Sequence, residues 1–285
     1  MPDASDKLVR DLKNFVAGEW VDSDDRIEVT NPYTNEVVGT VPKMGLDQVK
    51  KAIDFMYDYE PELTAYERSE ILRASAAEIK SRTDELAYGI SLESGMSIQD
   101  STKEVGRGVG LILTAAEEAK RIMGEQLPSD VDASGADKLI LALRHPVGLV
   151  SAIVPFNRPM NQVVVKVAPS FAAGNKTIVK PTERTPMSAI RFVEILLNNG
   201  MPPGMIGVVT GKSSEIGNEL VSSQKIDMVT FTGSTEVGRK LTNMAGIKKL
   251  TMELGGNDPL IVLDDADVKL AAKLTVAGAY GNAGQ

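Results

Sequence analysis

Two short segments carry side chains suited to chemistry on a carbonyl group. In VPFNRPMN an apolar strand ends at Pro155 and leaves Asn157 in a turn between two prolines. An amide held rigidly there can donate to a developing oxyanion, although most asparagines in turns bond only their own backbone. In MELGGNDP, Glu253 lies between apolar neighbours, and we expect burial to suit it to general-base work. A paired structural glutamate is an equally good interpretation of that segment alone.

Two further segments are suited to binding a phosphorylated or sugar-bearing ligand. In FTGSTEVGRK, Gly233 forms a strand-to-helix turn and Ser234 begins the helix, whose first N–H groups attract anions. An ordinary capped helix explains this segment alone better, because the G-x-G-x-x-G fingerprint is absent. In IVKPTERTP, Lys180 ends an apolar strand and Glu183 follows, a donor and an acceptor for ribose hydroxyls. A solvated loop is the simpler interpretation of that segment alone.

The elements that position these segments alternate along the second half of the chain. Short apolar strands and helical runs follow each other from Val147 on, which predicts a parallel sheet joined by right-handed crossovers. Ligands bind such sheets at the carboxyl ends of the strands, where these segments lie. The predicted strands are VGLVSAIVP, NKTIVKP, GVVTG and DMVTFTG, and the predicted helices are NQVVVKVAPSFAAG, PMSAIRFVEILLNNG, SSEIGNELVSS and STEVGRKLTNMAG.

The first half of the chain has a different pattern. Its opening, NFVAGEWVDSDDRIEVTNPYTNEVVGTVP, predicts short antiparallel strands between turns. Apolar residues at helical spacing then predict helices. LILALRHPVGLVSAIV predicts two strands around a His-Pro turn. The predicted helices are GLDQVKKAIDFM, ERSEILRASAAEIKSRTDELAYGI and QDSTKEVGRGVGLILTAAEEAKRIMG.

Composition excludes several classes of function. A net charge of −8 over 285 residues disfavours nucleic acid and anionic membrane as partners. The absence of cysteine excludes disulfides and thiolate metal sites, and with His145 as the only histidine we expect no metal. No stretch reaches the length of a membrane span, and MPDASDKLVRDLKNF has no apolar export signal, so we expect a cytoplasmic protein.

The four segments, in this order and followed by DADVKLAA and GNAGQ, resemble the aldehyde dehydrogenase superfamily. The resemblance covers nearly the whole chain. It implies an α/β fold in which residues 1–255 form a Rossmann-like NAD(P)-binding domain with helices on both faces of a parallel sheet. An antiparallel oligomerisation hairpin is expected near residues 125–145. Residues 256–285 would begin a truncated catalytic domain with a strand and a helix in IVLDDADVKLAAKLTVAGAYG.

The resemblance also implies roles for individual residues. Asn157 would be the oxyanion donor and Glu253 the base that activates the hydrolytic water. Lys180 and Glu183 would contact the adenosine ribose, and Glu183 would favour NAD by repelling the 2′-phosphate of NADP, with NADP still possible because Lys180 and Lys212 offset that charge. The remaining cofactor contacts would be Phe156, Gly233, Ser234, Gly238 and Leu254.

The nucleophile of the family is a cysteine in a G-Q-x-C motif, of which Gly284 and Gln285 supply the first two letters. Its thiolate attacks the aldehyde, hydride leaves to the nicotinamide, and water releases the acid from the thioester. We therefore expect these 285 residues to be inactive alone. The parent enzyme would act on a small-molecule aldehyde as a homodimer or homotetramer. A non-catalytic nucleotide-binding or assembly module and a coenzyme-A-acylating dehydrogenase are the alternatives.

Departures from the family pattern point to a branch and a substrate class. Phe156 replaces the usual tryptophan, and Asn257 follows ELGG where lysine is usual. This pattern is similar to the branch acting on lactaldehyde, phosphonoacetaldehyde or glyceraldehyde 3-phosphate. In that branch Arg107 and Arg158 would face the substrate, and two arginines bind a phosphonate, phosphate or carboxylate well. An ion pair with Glu104 is an equal alternative for Arg107.

Overall fold

The computed structural model describes residues 11–284, and the side chains of residues 11–282. Gln285 of the predicted nucleophile motif lies outside the described residues. The strands in chain order are β1 (Asn14–Val16), β2 (Glu19–Val21), β3 (Arg26–Thr30), β4 (Val37–Pro42), β5 (Glu125–Leu127), β6 (Ile140–Ala142), β7 (Leu149–Ile153), β8 (Lys176–Lys180), β9 (Ile206–Val208), β10 (Met228–Thr232) and β11 (Lys249–Glu253).

The helices cover the predicted helical runs. In chain order they are α1 (Leu46–Asp58), α2 (Ala65–Ser81), α3 (Thr83–Ser94), α4 (Ile98–Ala119), α5 (Asn161–Ala172), α6 (Met187–Asn198), α7 (Ser213–Ile216), α8 (Glu219–Ser222), α9 (Thr235–Ala245) and α10 (Val268–Tyr280), followed by a 3₁₀ turn at Gly281–Gly284. Two runs predicted as single helices are divided. ERSEILRASAAEIKSRTDELAYGI divides at Arg82, whose guanidinium bonds Glu78 on one side and Glu85 on the other. SSEIGNELVSS divides into the short helices α7 and α8.

A seven-stranded sheet in the order β11-β10-β7-β8-β9-β1-β2 organises the molecule. Its first five strands are parallel, and the β1–β2 hairpin joins β9 in the antiparallel direction. Helices connect successive parallel strands, as crossover connections require. The α/β class with a mostly parallel sheet is therefore confirmed.

The chain changes direction across the sheet at β7. From β7 it continues through β8 to β9 on one side, and β10 and β11 then lie on the other side. The register places Ile153 opposite both Lys180 and Phe231, and Thr232 opposite Glu253, so these carboxyl ends meet at one edge. Such a change of direction opens a crevice beside the strand ends, which is where ligands bind in this class of sheet.

Two hydrophobic cores lie on the opposite faces of the sheet. Along β8, Ile178 belongs to one core and Val179 to the other, as the two-residue period of a strand dictates. The larger core lies under α2 to α6 and includes Ile112 and Phe171. The smaller core contains Ile53 of α1. Helices thus cover both faces, and α4 packs along α5, which follows the VPFNRPMN segment.

The predicted antiparallel hairpin is present as β5 and β6, which pair with each other and lie outside the main sheet. Three leucines at alternate positions, Leu139, Leu141 and Leu143, are 70, 56 and 69% exposed. The hairpin therefore presents apolar side chains that no described residue covers.

The strand predicted in IVLDD is wrong for the described residues. Residues 254–263 have no regular structure, and Ile261 and Leu263 are largely exposed. A strand requires a neighbour that pairs with its backbone, and β11 is the outermost strand on this side of the sheet. The helix predicted after it is present as α10, which buries no residue against the rest of the described chain.

Candidate functional site

Asn157 lies in the bend that connects β7 to α5 and is half-buried. Pro155 and Pro159 flank the bend, and the carbonyl of Arg158 accepts from the N–H of Gln162 at 2.9 Å in the first turn of α5. Phe156 is 44% exposed, with the guanidinium of Arg184 at 5.2 Å from its ring centre. The turn thus presents Asn157 at the crevice end of β7.

The N-terminus of α9 follows β10 directly, as predicted. Ser234 caps it, with Oγ accepting from the N–H of Val237 at 3.2 Å. Within residues 11–284 the N–H groups of Thr235 and Glu236 have no acceptor. The N–H of Gly233 donates to the carbonyl of Glu253 at 3.0 Å, which ties this turn to β11. Exposed donors at a helix N-terminus form an anion site.

Gly238 and Leu254, both predicted cofactor contacts, lie against each other. A Cβ at Gly238 would be 2.4 Å from Cδ2 of Leu254, so a side chain there would displace the leucine. Thr235 Oγ1 also accepts from the N–H of Gly255 at 3.3 Å. The start of α9 therefore packs closely on the segment after β11.

Lys180 and Glu183 meet at the start of α7. Lys180 is only 2% exposed, and its Nζ donates to Ser213 Oγ at 2.9 Å and to the Pro181 carbonyl at 3.3 Å. Burial lowers the pKa of Lys180, and the charge of Glu183 acts in the opposite direction. Glu183 Oε1 accepts from the N–H of Ser213 at 2.7 Å and from its Oγ at 3.2 Å. The pair thus offers a charged donor and a charged acceptor on the same loop.

Glu253 is the last residue of β11, and its side chain is exposed. The expectation of burial is wrong for the described residues, because β11 is an edge strand whose outer side is uncovered. Its carbonyl is held by Gly233, so the position from which the carboxylate projects is fixed beside α9. Glu253 thus lies at the same edge of the sheet as Asn157.

Lys166 is a site residue that sequence reasoning missed. It projects from α5 and is 6% exposed, and its Nζ donates to Thr230 Oγ1 at 3.2 Å and to Thr232 Oγ1 at 2.8 Å on β10. Burial lowers its pKa to about 8, while the charge of Glu253 acts to raise it. A lysine inside the apolar helix NQVVVKVA was the signal that could have revealed it.

The charges of the two predicted substrate arginines both act on Glu104. Arg107 is exposed on α4 and Arg158 is half-buried. Burial raises the pKa of Glu104, and two backbone donors together with the charges of Arg158 and Arg107 oppose that shift. Among residues 11–282 neither arginine forms an ion pair within 4 Å, so the alternative pairing of Arg107 with Glu104 is not observed.

The structure therefore brings the predicted residues to one edge of the sheet. The oxyanion candidate follows β7, and the anion site follows β10. The two ribose candidates lie at the end of β8 and in the loop after it, and the candidate base ends β11. Between residues 11 and 282 no cluster of three His, Cys, Asp or Glu side chains is arranged to hold a metal. In the same part of the chain none of the helices has the length and apolar character needed to cross a bilayer.

Comparison with known proteins identifies the family. The model of the aldehyde dehydrogenase family matches residues 20–285. Mitochondrial succinate-semialdehyde dehydrogenase of Arabidopsis thaliana is 40% identical over 280 residues, covering 96% of this chain and 52% of the relative. Lactaldehyde dehydrogenase of Methanococcus aeolicus is 37% identical, covering 95% of this chain and 58% of the relative.

A solved structure of a dehydrogenase also matches this fold. The crystal structure of NADP-dependent glyceraldehyde-3-phosphate dehydrogenase from Bacillus halodurans, complexed with NADP, superposes with a TM-score of 0.89 at 37% identity. The match covers 95% of this chain and 58% of that structure, so the chain spans little more than half the length of these relatives. With the family model matched over almost its whole length, the chain belongs to the aldehyde dehydrogenase family.

Proposed function

We propose that the protein containing this chain oxidises a small anionic or hydroxylated aldehyde to the carboxylic acid with NAD(P)⁺. The observation that carries this proposal is the convergence of Asn157, Lys180, Ser234 and Glu253 at one edge of the sheet, beside the change of direction at β7. The family's nucleophile is a cysteine, and these 285 residues contain none. The activity is therefore assigned to a longer polypeptide that includes them.

The residues present fit a nicotinamide dinucleotide. The N–H groups of Thr235 and Glu236, with the hydroxyl of Ser234, suit a pyrophosphate at the start of α9. Lys180 and Glu183 suit the hydroxyls of an adenosine ribose. Such a cofactor, when bound, supplies the hydride acceptor.

The chain's own polar groups serve the two halves of the reaction. Asn157 donates from its amide to the oxyanion that forms when the nucleophile adds to the aldehyde, which stabilises the charge where it develops. Glu253 takes a proton from the water that releases the acid. Lys166 lies under this edge as a buried cation with a lowered pKa and interacts electrostatically with Glu253.

Glu183 favours NAD over NADP. Its carboxylate accepts from the N–H and the hydroxyl of Ser213, and a negative charge beside the proposed ribose site repels a 2′-phosphate. Lys180 donates to the hydroxyl of Ser213, and Lys212 precedes Ser213 in the chain. Their positive charges partly offset the repulsion. The Bacillus halodurans relative, by contrast, was crystallised with NADP.

Two arginines whose charges act on Glu104 support the proposed substrate class. Arg107 and Arg158 lie on α4 and on the turn of Asn157, and both guanidinium groups lack an ion-pair partner within residues 11–282. Arginine binds carboxylate and phosphate oxygens through charge-assisted hydrogen bonds. The Arabidopsis relative is named for succinate semialdehyde, whose carboxylate fits this arrangement.

Replacing Arg107 or Arg158 with leucine in the complete protein raises KM for an anionic aldehyde about tenfold or more, because a charge-assisted hydrogen bond is lost. Steady-state formation of reduced cofactor with succinate semialdehyde and with a neutral aldehyde of similar length measures the effect. Arg121→Leu is the matched control, since Arg121 lies just beyond the end of α4, is exposed and pairs with Glu118 in the last turn of that helix. Equal losses on both aldehydes contradict an anion-binding role, and failure to reduce the cofactor with any aldehyde contradicts the proposed function.

We also propose that β5 and β6 mediate assembly into a homodimer or homotetramer. The exposed face of Leu139, Leu141 and Leu143 supports this proposal, because an isolated two-stranded hairpin with an apolar face needs a partner. The double substitution Leu139→Asp with Leu141→Asp lowers the mass measured by analytical ultracentrifugation. Val131→Asp, 81% exposed between the two strands, leaves that mass unchanged. An unchanged mass in the double variant contradicts the proposal.

A further inference from the structure

Glu104 is a buried carboxylate on α4 that bonds the turn leading out of the site. It is 2% exposed, and its Oε1 accepts from the N–H groups of Met160 and Asn161 at 2.9 and 3.0 Å. These donors lie at the N-terminus of α5, where the first N–H groups of a helix have no partner within it. The residue in the cap position, Met160, makes no side-chain cap, so the cap is supplied by a different helix.

One turn further along α4, Gly108 faces the same segment. A Cβ at this position would lie 3.1 Å from Oδ1 of Asn161 and 3.6 Å from Cε of Met160. Asn161 is 6% exposed and Met160 is 2% exposed. The start of α5 therefore packs closely on the surface of α4. Glu104 supplies the oxygen that accepts its two N–H groups, and Gly108 leaves room for Met160 and Asn161 because it has no side chain.

Asn157 lies only three residues before Met160, in a bend with no regular hydrogen-bonded structure of its own. The backbone that carries it is fixed at one end by β7 and at the other by the start of α5. We propose that Glu104 is a positioning residue for the oxyanion donor, which it holds in place through the backbone of Met160 and Asn161. This inference rests on the proposed function, in which Asn157 is that donor.

Because only one oxygen of Glu104 forms hydrogen bonds within residues 11–282, substitutions can test whether the start of α5 requires a hydrogen-bond acceptor or a negative charge. Oε2 is buried and has no hydrogen-bond partner within the described residues, so both structural bonds fall on Oε1. A glutamine at this position keeps one oxygen with the same reach. A leucine keeps the approximate shape and provides no acceptor.

The test compares Glu104→Gln and Glu104→Leu in the complete protein. Glu104→Gln keeps kcat within about threefold of the wild-type value, whereas Glu104→Leu lowers kcat on the order of 10²-fold, the cost of a misplacement of about 1 Å in a catalytic group. Calorimetric titration with NAD gives an unchanged Kd for both variants, because Lys180, Glu183 and Ser234 lie on other loops. An equal loss of kcat in the two variants overturns the proposal.

Asn175→Leu is the control for a general loss of stability. Asn175 is 7% exposed, and its Oδ1 accepts from the N–H groups of Val147 and Gly148 at 2.6 and 3.1 Å, so it also bonds two backbone donors. It lies at the opposite ends of β7 and β8, about 16 Å from the site at the rise of a strand. Asn175→Leu lowers Tm and leaves kcat near the wild-type value. If kcat falls equally in Asn175→Leu and Glu104→Leu at similar Tm, the positioning role is wrong.

Hydrogen–deuterium exchange separates this inference from the proposed function. The backbone amides of Asn157, Arg158 and residues 160–162 exchange faster in Glu104→Leu than in the wild type and at the wild-type rate in Glu104→Gln. Unchanged exchange in Glu104→Leu overturns the positioning role, whether or not the protein oxidises an aldehyde. An unaltered kcat in Asn157→Ala contradicts the role of Asn157 in the proposed function. In that case the exchange rates still test whether Glu104 holds the N–H groups of Met160 and Asn161.

Discussion

Glu253→Gln in the complete protein lowers kcat by about 10³-fold, within the range of 10²–10⁴ that general-base catalysis contributes. Glutamine keeps the shape of glutamate and cannot take a proton from water, so release of the acid becomes slow. Hydride transfer precedes that step, and a burst of about one equivalent of reduced cofactor per site therefore remains. Stopped-flow absorbance of the reduced cofactor, followed into the steady state, measures both phases.

The position of Glu253 makes this test specific. Its backbone carbonyl accepts from the N–H of Gly233, so the amide variant leaves the end of β11 attached to the turn before α9. Asp258→Asn removes a carboxylate from the same exposed segment and keeps kcat near the wild-type value. If Glu253→Gln has a normal kcat in the presence of coenzyme A and none in its absence, the coenzyme-A-acylating alternative replaces hydrolysis.

Asn157→Ala gives the second large effect and slows a different step. Loss of one oxyanion donor costs about 10²–10³ in rate. The donor acts while the nucleophile adds to the aldehyde, so the burst itself becomes slow, in contrast to Glu253→Gln. Single-turnover formation of the reduced cofactor with an excess of enzyme isolates this step.

Asn157→Asp distinguishes a hydrogen-bond donor from a structural turn residue. Aspartate has the shape of asparagine and is tolerated in turns, but it replaces the donating amide with a negative oxygen. We expect Asn157→Asp to be at least as slow as Asn157→Ala, with Tm close to that of the wild type. Recovery of activity in the aspartate variant would assign Asn157 to the turn alone.

The sequence predicted the class of the fold and the place where the site residues meet, for one physical reason. Parallel strands joined by crossovers bring their carboxyl ends to one edge, so Asn157, Lys180 and Ser234, each at or shortly after the end of a strand, had to lie together. The pairing of Gly238 with Leu254 has the same origin, because α9 returns over the end of β11. Their roles in binding and catalysis stay predictions, and so do the domain boundaries.

Contacts between elements distant in sequence were beyond prediction. Glu104 caps a helix that begins 57 residues later, and Lys166 reaches hydroxyls 64 and 66 residues away. No local pattern encodes such distances. The helical period also does not reveal the division of one helical run at Arg82, where the backbone leaves helical geometry for one residue. The exposure of Glu253 and the missing strand in IVLDD share a cause. Glu253 ends the outermost strand and IVLDD follows it, and apolar sequence alone does not supply a neighbour on that side of the sheet.

The order of the strands has a consequence for synthesis on the ribosome. Val150 of β7 pairs with Met228 of β10, which is made 78 residues later. At about 5–20 residues per second, one edge of β7 stays unpaired for roughly 4–16 s after the strand emerges. During that interval the apolar segment LVSAI presents free backbone donors and acceptors, the arrangement that recruits strands of other nascent chains. Slower folding conditions or dense polysomes therefore favour aggregation through β7, before the site has formed.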